Sequence, residues 1–233
     1  MKAAIPVWIA FVPSSIAWGI AAQANGLQLD EVLLMSAWVY SGPAQFAVLA
    51  PLAAGKPAVQ VILAAFLVNL RFLPMSTALA PFFGKAKRGW LWFAAHFISA
   101  SSFIIPYIQF QKERESLAPG ASALENYGRA NLDFFLGVGM TSFLVWVVGS
   151  GAGFEIAQAL PKGFDEGLKF ILPGYFAGLL VIDMRGRTMP AICLISLIAT
   201  IPAVMWSADW GWIVTAVVVA TAGWSLEQWV ARA

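Results

Sequence analysis

Polar and apolar positions in this chain alternate on a scale of about twenty residues, far longer than the period of an amphipathic helix or strand. Apolar stretches cover 5–24, 31–54, 58–83, 89–110, 131–151, 166–182, 189–206 and 210–229. A helix of about 20 apolar residues crosses the hydrocarbon core of a bilayer, and inside lipid its backbone groups are satisfied within the helix itself. The pattern predicts an all-α, polytopic integral membrane protein with about seven or eight transmembrane helices. They form one transmembrane domain over 1–233. The polar insert at 111–130 reads as an aqueous loop or a short interfacial helix. The first stretch, with Lys2 before it and "AAQA" ending at Ala24, imitates a cleavable signal. Pro6, Pro13 and Gly19 suit a retained, kinked helix better.

Two of these stretches are interrupted near their middles. "SGPAQF", 41–46, sets Gly42, Pro43 and the polar Gln45 inside the second stretch. "LVNLRFLPM", 67–75, sets Asn69 and Arg71 inside the third, and Pro74 removes the hydrogen bond that would run to the Leu70 carbonyl. The sequence therefore predicts broken helices near Gly42–Pro43 and Asn69–Pro74. A charged side chain at the bilayer centre costs at least ~2.5–3.5 kcal/mol on insertion scales, so Arg71 is expected to face protein or a water-filled cavity. Paired broken helices expose helix N-termini and free carbonyls to a solute. Arg71 and a helix N-terminus suit a carboxylate, and Asn69, Gln45 and free carbonyls suit an ammonium. The bland alternatives are a buried amide bonded to a neighbouring helix and an ion pair of Arg71 with Asp133 or Asp183.

Composition sharpens this picture. The chain of 233 residues is 60% hydrophobic and 11% charged, with a mean hydropathy of +0.77, against roughly 25% charged residues in soluble domains. A net charge of +2 scattered over loops argues against nucleic acid as a partner. One cysteine, Cys193, and one histidine, His96, exclude an internal disulfide and make a metal site improbable. No nucleophile–base pair and no nucleotide-binding loop is visible, so no catalytic residue, cofactor or enzymatic activity is expected. The distribution of Lys and Arg favours an N-terminus inside, with "KAKR" at 85–88 opposing it.

Other features are secondary. Ser99, Ser101 and Ser102 form a hydroxyl cluster in the fourth stretch that either allows close packing or lines a path. Gly137, Gly149, Gly151 and Gly153 favour tight helix contacts. Gly19 and Asn25 could add to a cavity. Trp38 and Trp146 are placed to pack between helices, while most other tryptophans fall near predicted ends, where they favour the membrane interface. "GPAQFAVLAPL" from Gly42 echoes "LPGYFAGLLVI" from Leu172, which is either a weak duplication of 31–83 and 166–206 or a chance similarity.

The same residues carry a resemblance. "NGLQLDEVLLMSAWVYSGPAQFAVL", "LVNLRFLPMSTALAP" and "GLKFILPGYFAGLLV", in this order and spacing, are similar to the AzlC family of branched-chain amino-acid permeases and exporters. The likeness covers nearly the whole chain. It implies a bacterial inner-membrane, multi-pass permease subunit that works with AzlD, a small membrane protein, to move valine, leucine or isoleucine outward. The family's signature polar residues fall on Gln45, Asn69 and Arg71. The chain departs at "SASSF", 99–103, where relatives often carry two acids, and at Phe72, where they often carry histidine or tyrosine.

The sequence thus points to a secondary transporter of amino acids in a lipid bilayer, with Gly42, Gln45, Asn69, Arg71, Ser99 and Ser101 as candidate substrate-binding residues. A non-transporting scaffold subunit, or a permease for a different small solute, are the alternatives.

Overall fold

In a computed structural model the described residues are 5–84, 86–115, 128–161, 174, 177, 188–207 and 210–232, and among them every regular element is helical. The helices are α1 (Ile5–Ala24), α2 (Leu29–Trp38), α3 (Gly42–Ala53), α4 (Ala58–Asn69), α5 (Phe72–Leu79) with a 3-10 turn at Ala80–Phe83, α6 (Arg88–Ala95), α7 (Ala100–Glu115), α8 (Gly128–Ala159), α9 (Met189–Trp206) and α10 (Gly211–Arg232). The stretches Ala58–Phe83, Gly128–Ala159 and Met189–Trp206 are each long and apolar enough to cross a bilayer. The protein is an all-α membrane protein. The expected helix at 166–182, and with it the second copy of the internal echo, lies outside the described residues.

Helix α8 organises the bundle. Arg129 and Asp133 near its start and Glu155 near its end are exposed. The uncharged stretch between Asp133 and Glu155 is about 31 Å long at 1.5 Å per residue, close to the ~30 Å hydrocarbon thickness. Its main partner is α1, and small residues let the two backbones meet. A methyl group on Gly19 would overlap the Ser150 carbonyl, and one on Gly153 would overlap that of Ile16. The N-terminal segment is therefore part of the core, with Pro13 inside a continuous helix. Gly149 meets Ser15 and Gly151 meets Leu33 as expected, whereas Gly137 faces open space.

Two apolar cores hold the bundle together. One gathers Trp18, Val32, Tyr40, Phe46, Leu49, Trp146 and Phe154 from α1, α2, α3 and α8. The other gathers Leu79, Phe82, Phe83, Phe97, Phe110, Leu132 and Phe135 from the 3-10 turn and its neighbours. Phe143, near the middle of α8, packs against both. Large apolar side chains such as Phe66, Leu144, Val148 and Leu197 point outward, as a lipid-facing surface requires.

Three consecutive apolar stretches are each broken midway, one more than the sequence predicted. Between α2 and α3 the chain unwinds: Tyr40 has φ +41 and Ser41 is extended. Between α4 and α5 it only kinks, because Leu70 and Arg71 keep helical dihedrals. Pro74 falls in the first turn of α5, where its missing N–H is harmless. The Leu70 carbonyl accepts from the Leu73 amide instead, at 3.0 Å. The third break, at 96–99, contains neither proline nor glycine.

Other expectations shift. The helix begun by Ala100 runs to Glu115, into the stretch read as loop. Trp38 is 80% exposed rather than packed between helices, while Trp146 is buried as expected. Trp18, unremarked in the sequence, is fully buried.

Candidate functional site

The three breaks are joined to one another by side-chain contacts. Arg71, half-buried at the kink between α4 and α5, donates from a guanidinium nitrogen to Ser41 Oγ at 3.3 Å, tying the second break to the first. Its Cζ lies 5.1 Å from the Phe72 ring centroid, within cation–π range. Phe72 thus lies against the guanidinium. Asp133, one suggested ion-pair partner, is exposed in the early turns of α8, and Asp183 lies outside the described residues. The Asn69 side-chain oxygen is buried at the end of α4 and accepts no hydrogen bond.

Tyr40 joins the first break to the third. Its ring stacks near His96 at 6.3 Å and meets Phe143 edge-on at 5.2 Å. Its hydroxyl lies beside those of Ser99 and Ser142, and the Tyr40 and Ser142 hydroxyls are both buried with no hydrogen bond of good geometry. Tyrosine in the left-handed region carries a strain of order 1–2 kcal/mol, held here by the surrounding aromatic rings. Gly139, one turn before Ser142, makes room for the third break, since a Cβ there would lie 2.8 Å from Phe97 Cβ.

Serine hydroxyls make the third break. Ser99 donates its backbone N–H to Ser102 Oγ at 2.8 Å, and Ser102 Oγ donates to the Phe97 carbonyl at 2.6 Å. Ser102 N–H donates back to Ser99 Oγ at 3.3 Å. This reciprocal pair caps α7 in the manner of a capping box and takes up a carbonyl left by the end of α6. The expected choice between packing and lining a path thus resolves for Ser99 and Ser102 into helix capping, with Ser99 also turned toward Tyr40. The Ser101 side chain lies outside the described residues.

Gln45 sits elsewhere. It is 0% exposed, and both ends of its amide are engaged: Nε2 donates to Ser36 Oγ at 3.2 Å, and Oε1 accepts from Trp146 Nε1 at 2.8 Å. Ser36 also accepts from Trp18 Nε1 at 3.0 Å and donates to Ser150 Oγ at 2.9 Å. Ser150 in turn donates to the Trp146 carbonyl at 2.7 Å. This buried network ties α1, α2, α3 and α8 together just beside the first break, so Gln45 holds α3 in place. Gly42 begins α3 with Pro43, which has no N–H, next to it, and the Gln45 amide donates to the Ser41 carbonyl at 2.8 Å, so the Gly42 and Ala44 amides are those without a carbonyl partner inside the helix. Gly19 and Asn25 do not line the breaks: Gly19 packs on α8, and Asn25 Nδ2 donates to the Ala21 carbonyl at the end of α1.

Two cavities flank the site. One of about 170 Å³ is apolar and bordered by Leu79, Phe83, Leu91, Ala95, Ile98 and Phe135, so it reaches to within one residue of Ser99. Another, of about 650 Å³, lies between α3 and α4 with Lys56 and Gln60 on its wall, and touches none of the candidate residues. The sequence missed Tyr40, Ser142 and Ser36. The clustered hydroxyls of "SASS" were the one visible signal of the third break, and nothing local marked the others.

Among known proteins, the AzlC protein family matches residues 6–160, a range that holds α1 through α8 and all three breaks. The inner membrane protein YgaZ of Escherichia coli (strain K12) is 24% identical over 198 residues, which cover 80% of this chain and 72% of that protein. No solved structure matches the chain.

Proposed function

Because the chain belongs to the AzlC family, we propose that it is a secondary-transporter subunit, multi-pass in the bacterial inner membrane, that exports branched-chain or other apolar amino acids together with a small AzlD-like membrane protein. The coarser part of this statement, a membrane protein with a transporter-like role, follows from the family and from the inner-membrane relative. Substrate, direction and partner are our reading. It is a non-enzymatic one and calls for no cofactor.

One observation carries it: three helix breaks, each near the middle of an apolar stretch where a spanning segment would reach mid-membrane depth, are joined by side-chain contacts, with Arg71 bonded across the first two. Irregular backbone at that depth is tolerated only where it is buried in protein or lines a cavity. A solute carboxylate would be taken by Arg71 and the amides opening α3 at Gly42, where charge and helix dipole act together. Asn69 and the hydroxyl of Ser99 would line the same site, with Ser101 a neighbour by position. Gln45 serves indirectly, by fixing the start of α3. The unwound 39–41 segment would act as the hinge about which α2 and α3 rearrange.

The test is export from cells preloaded with leucine- or valine-containing dipeptides. A hydrogen bond to a charged group contributes about 1.5–3 kcal/mol, so Arg71→Ala is expected to lower efflux about tenfold or more while the protein stays in the membrane. Undiminished export would overturn the substrate role. Loss of association with the small partner at unchanged intrinsic export would instead favour a scaffold.

A further inference from the structure

Three polar atoms at the breaks are buried and make no hydrogen bond of good geometry: Tyr40 Oη, Ser142 Oγ and Asn69 Oδ1. Tyr40 is 3% exposed and Ser142 0%. They come from three different elements, and the Tyr40 hydroxyl lies beside those of Ser142 and Ser99. Buried polar groups are almost always paired, and three orphans at joined breaks point to a guest that pairs them.

The chemistry of the orphans restricts that guest. All three atoms are neutral oxygens able to accept a hydrogen bond. Every described carboxylate, from Asp30 to Glu227, is exposed, so among the described residues no acid stands beside these oxygens to ligate a metal ion or to carry a proton. Two hydroxyls and an amide oxygen in a buried setting can all accept from a group with several N–H donors. Arg71 and the opening turn of α3 adjoin the same break, because Ser41, the residue after Tyr40, takes the Arg71 hydrogen bond. The apolar cavity of about 170 Å³ begins at Ile98, next to Ser99, and its volume accommodates a branched aliphatic side chain.

We propose that the hydroxyls of Tyr40 and Ser142, beside Ser99, form a subsite for the amino group of the transported amino acid, with Asn69 as a further acceptor. This rests on the transporter reading above and extends it, making Tyr40 and Ser142 the residues that distinguish an α-amino acid from a plain carboxylic acid. Tyr40's strained backbone fits the role, since a left-handed turn at the break is what brings its hydroxyl beside those of Ser99 and Ser142.

Binding of L-leucine and of 4-methylpentanoate, which is leucine without its amino group, to the detergent-purified full chain tests the proposal, read by tryptophan fluorescence. The wild type is expected to prefer leucine by about tenfold or more, the factor of a well-made hydrogen-bonded contact. In the double variant Tyr40→Phe, Ser142→Ala the leucine affinity is expected to fall toward that of 4-methylpentanoate, whose own affinity stays unchanged. Because neither hydroxyl makes an internal bond of good geometry, the unliganded double variant is expected to melt at or above the wild-type temperature. An unchanged preference in the double variant overturns the amino subsite and leaves the transporter reading intact. A lowered unliganded melting temperature with that same unchanged preference assigns these hydroxyls to structural water and also overturns it. Failure of the wild type to bind either compound overturns the transporter reading, and the subsite with it.

Discussion

Ser36→Ala removes one oxygen that three partners share. Ser36 Oγ accepts from Trp18 Nε1 and Gln45 Nε2 and donates to Ser150 Oγ, which uses the full capacity of a hydroxyl. The substitution leaves little void, but it orphans two N–H donors on residues with no exposure at all. Ser150 keeps its bond to the Trp146 carbonyl, so it adds little to the damage. Each buried unsatisfied donor costs about 1–3 kcal/mol. Hydrogen bonds measured inside membrane proteins average only ~0.6 kcal/mol, because the unfolded helices also find partners in the membrane. For two donors the limits together place the expected loss at about 1–6 kcal/mol. The assay is SDS or thermal unfolding in detergent followed by tryptophan fluorescence, which reports on this network through Trp18 and Trp146. Thr221→Ala is the control: its hydroxyl bonds only to carbonyls of its own helix on an outward face, and a change within about 0.5 kcal/mol is expected. If Ser36→Ala also stays within about 0.5 kcal/mol of the wild type, the network does not hold the four helices together, and the structural role given to Gln45 fails with it.

Two further outcomes follow from packing and capping. Gly153→Ala forces a methyl group onto the Ile16 carbonyl and is expected to destabilise the α1–α8 contact by about 1–3 kcal/mol, whereas Gly137→Ala meets open space and is expected to be neutral or to gain up to about 1 kcal/mol from helix propensity; parallel unfolding curves of the two variants check the contrast, and equal effects would refute the close approach. Ser102→Ala removes both the acceptor for the Ser99 amide and the donor to the Phe97 carbonyl, an expected loss of about 0.5–2 kcal/mol that should appear as faster hydrogen exchange in the first turn of α7, with unchanged exchange counting against the serine-capped break.

The legibility of this protein follows the range of each interaction. The first span was readable to its ends, and the breaks near 42 and 70 were readable because proline and glycine act on the backbone within a turn of where they stand. Even there the sequence placed the effect of Pro74 inside a helix, while the chain sets it in the first turn of a new one and satisfies Leu70 from Leu73. The third break escaped notice because hydroxyls make it: serines in an apolar run look like packing residues until their partners, the Phe97 carbonyl and each other's amides, are seen. Gln45 shows the same limit from the other side. An amide beside a proline break reads equally as a ligand or as a bond to a neighbouring helix, and the helix partner, Trp146, 101 positions away, is seen only in the fold.

Hydropathy alone determined that this is an all-α membrane protein, because transfer of apolar side chains out of water is summed residue by residue and needs no fold. It also determined that Arg71 could not face hydrocarbon. Which groups surround that arginine was decided by tertiary structure. The Ser36–Ser150 bond joins positions 114 apart, and the third break packs on α8 only because that helix is narrow at Gly139, where Phe97 must fit. Hydrogen bonds and steric fit act over a few ångströms in space without regard to separation along the chain, so the site exists only once the helices have met.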